Sequence, residues 1–122
     1  MMDTDYKGLT QDISTNLAQL RKTQPEVMKG FNDMAKAAMA SGALDPKTKE
    51  LIALAVGVAA RCDGCIGFHT KALARLGATT EEVHEALGVA IYMGGGPVAM
   101  YAANAVAAFQ EFAPDTLQLR EA

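Results

Sequence analysis

A chain of 122 residues has room for one domain with a core of its own and is too short for two. Half of the residues are hydrophobic but there is no Trp and few other rings, so the core has to come from Ala, Leu, Val and Met on closely packed helices, with the seven methionines as filler. The net charge of -3, with lysines and arginines scattered along the chain, excludes a stripe that neutralises phosphates, and no nucleic-acid partner is expected.

The N-terminal MMDTDYKGLT is acidic and polar, without the basic start and apolar stretch of a signal peptide. From about Thr4 to Lys22, Tyr6, Leu9, Ile13, Leu17 and Leu20 recur at steps of three and four, the stripe of an amphipathic helix. Pro25 suits a first helical turn, and Val27, Phe31, Met34 and Ala38 carry a second helix to the stop at Ser41-Gly42. Asp45-Pro46 is a start signal for a third helix reaching about Arg61. Its apolar run, LIALAVGVAA, falls well short of the roughly 20 residues that a membrane span requires. A cytoplasmic protein with no membrane partner is therefore expected, and in that compartment paired cysteines point to redox chemistry or metal more than to a structural disulfide.

Asp63 can cap a fourth helix through Cys65, Ile66, His69, Leu73 and Leu76 that stops at Gly77. Thr79 and Glu82 have capping-box spacing for a fifth, whose buried face is Val83, Ala86, Leu87, Ala90 and Ile91. Gly94-Gly95-Gly96-Pro97 breaks the chain; lacking the Lys-Ser/Thr of a phosphate loop, it reads as a permissive turn. A sixth helix, PVAMYAANAVAAFQEF, precedes Pro114 and a polar tail. No stretch alternates in the two-residue manner of a half-buried strand, so the fold class is all-α, about six helices in one domain over residues 1–122. Helices three and six are apolar nearly all round, more than a monomer of this size can bury, which predicts a homo-oligomer.

The chemistry concentrates in CDGCIGFH, residues 62–69. Two cysteines three apart with a histidine four further on admit a metal clasp, a redox couple, or a thiol with its base. Straddling a helix start, Cys62 and Cys65 have Cα atoms roughly 5 to 6 Å apart, within disulfide range. Cys65 falls in the first turn, where free amides and the helix dipole favour a thiolate. His69 stacks one turn along and can exchange a proton near neutral pH. In a coherent cycle Cys65 attacks an oxidant, becomes a sulfenic acid, and Cys62 resolves it as a disulfide.

Glu50 is the carboxylate that opens the apolar run of helix three. A simple hairpin, at roughly 1.5 Å per residue, puts it about one turn past His69, so contact needs a tilted crossing or a long reach; Gly57 on a similar face would permit a close crossing. Glu50 could instead be a solvated partner of Lys47 or Lys49. His84, among Glu81, Glu82 and Glu85, reads as a solvated residue without chemistry. Ile66 after the second cysteine closes covalent haem attachment, and the absence of strand patterns closes a thioredoxin-like module. Zinc on Cys62, Cys65 and His69, with His84 or Glu50 as fourth ligand, stays open as an interaction protein's structural site.

Glu50, eleven residues, Cys62-Asp63-Gly64-Cys65, three residues and His69 resemble the signature of the AhpD-like alkylhydroperoxidase branch of the carboxymuconolactone decarboxylase family. The likeness runs from about Leu44 to Ala108 and includes KTKELIALAV, LGATTEEV and MGGGPVAMYAANA. It implies an all-helical homo-oligomer, a trimer or hexamer, with no cofactor. It also implies Cys65 as peroxidatic cysteine, Cys62 as resolving cysteine and proton donor, Glu50 and His69 as proton relay, a peroxide as substrate, and an external dithiol or lipoylated protein as reductant. Cofactor-free lactone decarboxylation is the other activity in the family, in members without the cysteine pair. Better-known peroxidases of the branch often carry His or Tyr where this chain has Gly64, so any relay or contact from that position is absent.

Overall fold

The computed structural model describes the backbone of residues 5–121 and the side chains of residues 5–114. Thr4, at the expected start of the first helix, lies outside the described residues. Six helices and no strand occur among them: α1 Tyr6–Thr23, α2 Pro25–Met39, α3 Pro46–Ala59, α4 Asp63–Arg75, α5 Thr80–Gly94 and α6 Gly96–Glu121. No helix among the described residues is long and apolar enough to cross a membrane.

Local chemistry sets the starts. Asp45 accepts from the Thr48 amide at 2.7 Å and Pro46 takes the first turn. That amide holds the Asp45 carboxyl below its ordinary range. Thr79 and Glu82 close the expected capping box at 3.0 and 2.9 Å. The glycine run does break the chain, but the break is a single residue: Gly94 ends α5, Gly95 turns at φ 77°, and Gly96 opens α6.

α4 lies at the centre, against α1, α3 and α6. Leu54 and Val58 of α3, Ile66 and Leu73 of α4, Val83 and Leu87 of α5, and Phe109 and Phe112 of α6 form one core with the alanines between them. On α6 the buried positions Val98, Ala102, Ala105, Phe109 and Phe112 follow the helical period.

Three expectations are corrected. Ile91, placed on the buried face of α5, is 37% exposed. The sixth helix does not end before Pro114; its backbone continues to Glu121. A proline there gives up the bond to the carbonyl of Gln110, which is exposed and can be met by water. The apolar stripe of α2 does not enter the core: Val27, Phe31 and Met34 are 64%, 60% and 62% exposed, and no residue of that helix is buried. α2 packs only on α1 and α3, and is fastened by Lys49, whose ammonium donates to the Ala38 and Ala40 carbonyls at 3.0 and 2.5 Å.

α3 and α4 end in the same way. After α4, Gly77 turns at φ 79°, its amide donates to Ala74 and the next amide, of Ala78, to Leu73. After α3 the same motif has Arg61 at φ 59°, donating to Val58, with the Cys62 amide donating to Gly57. A left-handed residue with a β-carbon is strained by about 1 kcal/mol. Arg61→Gly should therefore raise unfolding free energy by about 0.5–1 kcal/mol and Gly77→Ala lower it by about 1 kcal/mol or more. Urea unfolding checks both; a loss of stability in Arg61→Gly, or none in Gly77→Ala, would contradict a shared motif.

Candidate active site

The α3–α4 junction shapes the site. Cys62 is at once the residue that closes the end of α3 and the N-cap of α4, where its sulfur accepts from the Cys65 amide at 3.1 Å. Sequence reasoning gave that cap to Asp63, which is instead the first helical residue. An N-cap needs extended backbone, and Cys62, at φ -111° and ψ 99°, has it. The Asp63 carboxylate accepts elsewhere, from the Tyr6 hydroxyl at 2.8 Å. Burial and then the neighbouring carboxylate push that hydroxyl well above the ordinary tyrosine range, so it remains a donor.

Cys62 and Cys65 are joined as a disulfide with Cα atoms 5.2 Å apart. One turn along, His69 Nδ1 lies 2.6 Å from Glu50 Oε1. Gly57 lets α3 approach α4 so closely that a β-carbon on it would stand 2.9 Å from the Cys65 β-carbon. Neither lysine competes for Glu50: Lys47 pairs with Glu82 at 2.8 Å and Lys49 holds the end of α2. The Lys47 ammonium keeps Glu82 below the usual carboxylate range. Where the Glu50 carboxylate accepts, His69 Nδ1 is the donor and Nε2 is left with its lone pair. Glu50 is 16% exposed and His69 31%, which puts the ring in front and the carboxylate behind it.

All four predicted residues, Glu50, Cys62, Cys65 and His69, thus gather at the α3–α4 pair. His84 does not; it borders a groove of about 290 Å³ between α5 and α6 with Leu87, Ile91, Ala102 and Val106. Among the described residues, no three His, Cys, Asp or Glu side chains converge as a metal ion would require, which leaves the zinc arrangement without its ligand set. A groove of about 440 Å³ along α1, with Lys7 and Lys71 on its walls, is bordered by none of the four.

Sequence reasoning missed the cover over the cysteine turn. α1 lies across the start of α4 at two glycines: a β-carbon on Gly64 would stand 2.9 Å from Ile13 Cδ1, and one on Gly67 2.6 Å from Thr10 Cγ2. The side chain absent at Gly64 is thus replaced in space by a neighbouring helix. Two glycines three apart were the available signal, since they leave a notch on one helix face.

The profile of the carboxymuconolactone decarboxylase family matches residues 25–108. The chain is 57% identical to an apo carboxymuconolactone decarboxylase family protein of Legionella pneumophila, whose crystal structure superposes with a TM-score of 0.87 over 88% of this chain and 96% of that one. A Thermotoga maritima family protein, for which a part in the antioxidative response has been suggested, is 30% identical with a TM-score of 0.79, over 93% and 96% of the two chains. An uncharacterised protein of Cupriavidus necator is 44% identical over 108 residues, 88% of this chain and 96% of its own. The chain belongs to the carboxymuconolactone decarboxylase family.

The close crossing is open to test. Gly57→Ala must push α4 from α3 at Cys65, costing about 1–3 kcal/mol of stability and lengthening the Glu50–His69 contact. Thermal unfolding reads the first effect and nitrogen NMR of the His69 ring the second, as loss of the Nδ1–H tautomer. An unperturbed variant would show that the glycine is not what allows the approach.

Proposed function

We propose that the chain is a thiol-dependent peroxidase of the AhpD-like kind, reducing peroxides through a sulfenic acid and disulfide cycle. The observation that carries this reading is the cysteine disulfide at a helix start with the His69–Glu50 pair one turn away. The antioxidative role suggested for the Thermotoga relative points the same way.

In the proposed cycle the Cys65 thiolate attacks one peroxide oxygen. An S–O bond forms, the O–O bond breaks, and the departing alkoxide or hydroxide takes the proton of the Cys62 thiol to leave as alcohol or water, which makes Cys62 a thiolate. Nε2 of His69 removes the Cys65 proton beforehand, and Glu50 stabilises the ring's positive charge. The Cys62 thiolate then attacks the sulfenic sulfur, forming the disulfide and releasing water. An external dithiol, free or on a lipoylated protein, restores the pair by exchange and is itself oxidised.

Cys65→Ser should abolish peroxide consumption in the presence of a dithiol. Cys62→Ser should stop turnover after one equivalent and leave a sulfenic acid that a specific probe traps. His69→Asn and Glu50→Gln should each slow the first step by about 10²-fold. Unchanged turnover by Cys65→Ser would remove the mechanism, and lactone decarboxylation by a Cys62→Ser/Cys65→Ser double variant would replace it.

The same reading includes a homo-oligomer, a trimer or hexamer, in the cytoplasm. Exposed apolar side chains support it: Val27, Phe31 and Met34 on α2, Ile52 and Val56 on α3, and Tyr92, Met93 and Met100 around the α5–α6 turn. Sedimentation should give three or six times the chain mass, and Phe31→Glu with Met34→Glu should lower it if α2 is buried between copies; a monomer at micromolar concentration would contradict the assembly.

A further inference from the structure

The first turn of α4 holds a negative group that the proposed cycle does not use. Asp63 lies between the two cysteines, beside free amides that would otherwise favour a thiolate. A carboxylate there works against the sulfur, because it repels a second anion in the same turn and competes for the same positive end of the helix. The Asp63 carboxylate is engaged from outside the turn by the hydroxyl of Tyr6, which is 2% exposed.

Tyr6 is placed for this with some redundancy. Glu111 of α6 accepts from the backbone amides of Tyr6 and Lys7 at 3.0 and 3.1 Å, and Asp5 accepts from Gly8 at 2.9 Å, so the start of α1 is fixed from two sides. Thr10 and Ile13, one and two turns on, seat α1 against Gly67 and Gly64 of α4. The groups that bear on the hydroxyl are Asp63 of α4 and Glu111 and Tyr101 of α6. Near the cysteines along the chain are Arg61, directly before Cys62, Asp63 in their own turn, and His69 one turn on with Glu50 against it.

We propose that Tyr6 is a positioning residue for the Cys62–Cys65 pair: by donating to Asp63 it draws the carboxylate's charge toward α1, so that a thiolate can form in the first turn of α4. It touches neither sulfur and acts through Asp63. This rests on the reading of the cysteines as a redox pair, and it assigns a task to the N-terminal helix, whose residues 6–23 precede the stretch that the family profile matches.

The consequence is a shift in the thiol–disulfide equilibrium. The reaction to measure is protein disulfide plus two glutathione thiols giving protein dithiol plus glutathione disulfide, in which two electrons and two protons pass to the protein. Losing the tyrosine hydroxyl destabilises the reduced, thiolate-bearing form and favours the disulfide. The expected change is about threefold to tenfold in the equilibrium constant, the range of one side-chain hydrogen bond; tenfold corresponds to about 30 mV.

The experiment titrates the full-length protein with glutathione buffers at pH 7 as wild type, Tyr6→Phe, Asp63→Asn and the double variant, with thermal unfolding run on each. Tyr6→Phe should move the equilibrium toward disulfide and Asp63→Asn toward dithiol. In the Asp63→Asn background the Tyr6→Phe change should vanish, because the hydroxyl then has no charge to engage. Ile13→Ala, which loosens α1 without touching the hydrogen bond, should lower stability and leave the equilibrium in place. The proposal is overturned if Tyr6→Phe shifts the equilibrium equally with and without the aspartate, or if Asp63→Asn alone leaves it unchanged, a result still readable should Tyr6→Phe not fold. No peroxide enters the assay, so a protein without peroxidase activity that shows these shifts would sink the proposed function and keep this role for Tyr6.

Discussion

The structure turns on how closely α3 and α4 approach at Gly57 and Cys65. With a β-carbon absent from Gly57, the two helices meet almost backbone to side-chain root, and Glu50 reaches His69. Without that approach the carboxylate, partly shielded from water, would lose its partner, a costly state for an anion. The contact also fixes where the chain can turn between the helices. Three residues, Ala60 to Cys62, must reverse it, and they do so with a left-handed Arg61 and a cysteine whose amide serves the end of one helix while its sulfur serves the start of the next. The strain at Arg61 is the local cost of putting the sulfur at that corner.

Much of this was legible in the residues. The starts of α3 and α5 are written in short signals whose partners lie three residues away, Asp45 with Thr48 and Thr79 with Glu82, and such local chemistry survives whatever the rest of the chain does. Most of the core face of α5, Val83, Leu87 and Ala90, follows from periodicity for the same reason. What stayed hidden depends on which helix meets which. The stripe on α2 is real, but a stripe reports only that one face is apolar; with no described helix packed over it, Val27, Phe31 and Met34 point outward. Asp63 looked like a cap because it has a capping side chain. The turn gave that place to Cys62 because the chain leaves α3 one residue earlier, and an aspartate already inside a helix finds its donor elsewhere.

The site shows the same division. Cys62, Cys65 and His69 follow one another at steps of about one turn along a single helix, so spacing alone brought them together. Glu50 needed the crossing, and the residue that allows the crossing was itself visible as a glycine on the matching face. Tyr6 could not be read at all: it lies 57 positions from Asp63, and its burial made it one more member of an apolar stripe. Gly64 shows why a missing side chain is ambiguous in a sequence. It removes a relay or substrate contact at that position, and here it also makes room for Ile13, so the space is filled by another element of the same chain.

These supports bear on whether the cysteine turn keeps its shape as its bond is made and broken. Were the disulfide the sole tie, reduction would release the first turn of α4, and the thiols would have to find each other again against chain entropy. Ties independent of the S–S bond hold the same residues. The Cys62 amide is bound to Gly57, Ile66 donates to the Cys62 carbonyl, and Asp63 is held by Tyr6. The amide of Cys65 needs only the Cys62 sulfur as acceptor, a need that a thiol or thiolate meets as well as a disulfide does. A turn fixed in this way can present both sulfurs in either oxidation state, and it leaves the balance between the two states to the charges around it: the free amides and His69 on one side, Asp63 on the other, with Tyr6 moderating the aspartate.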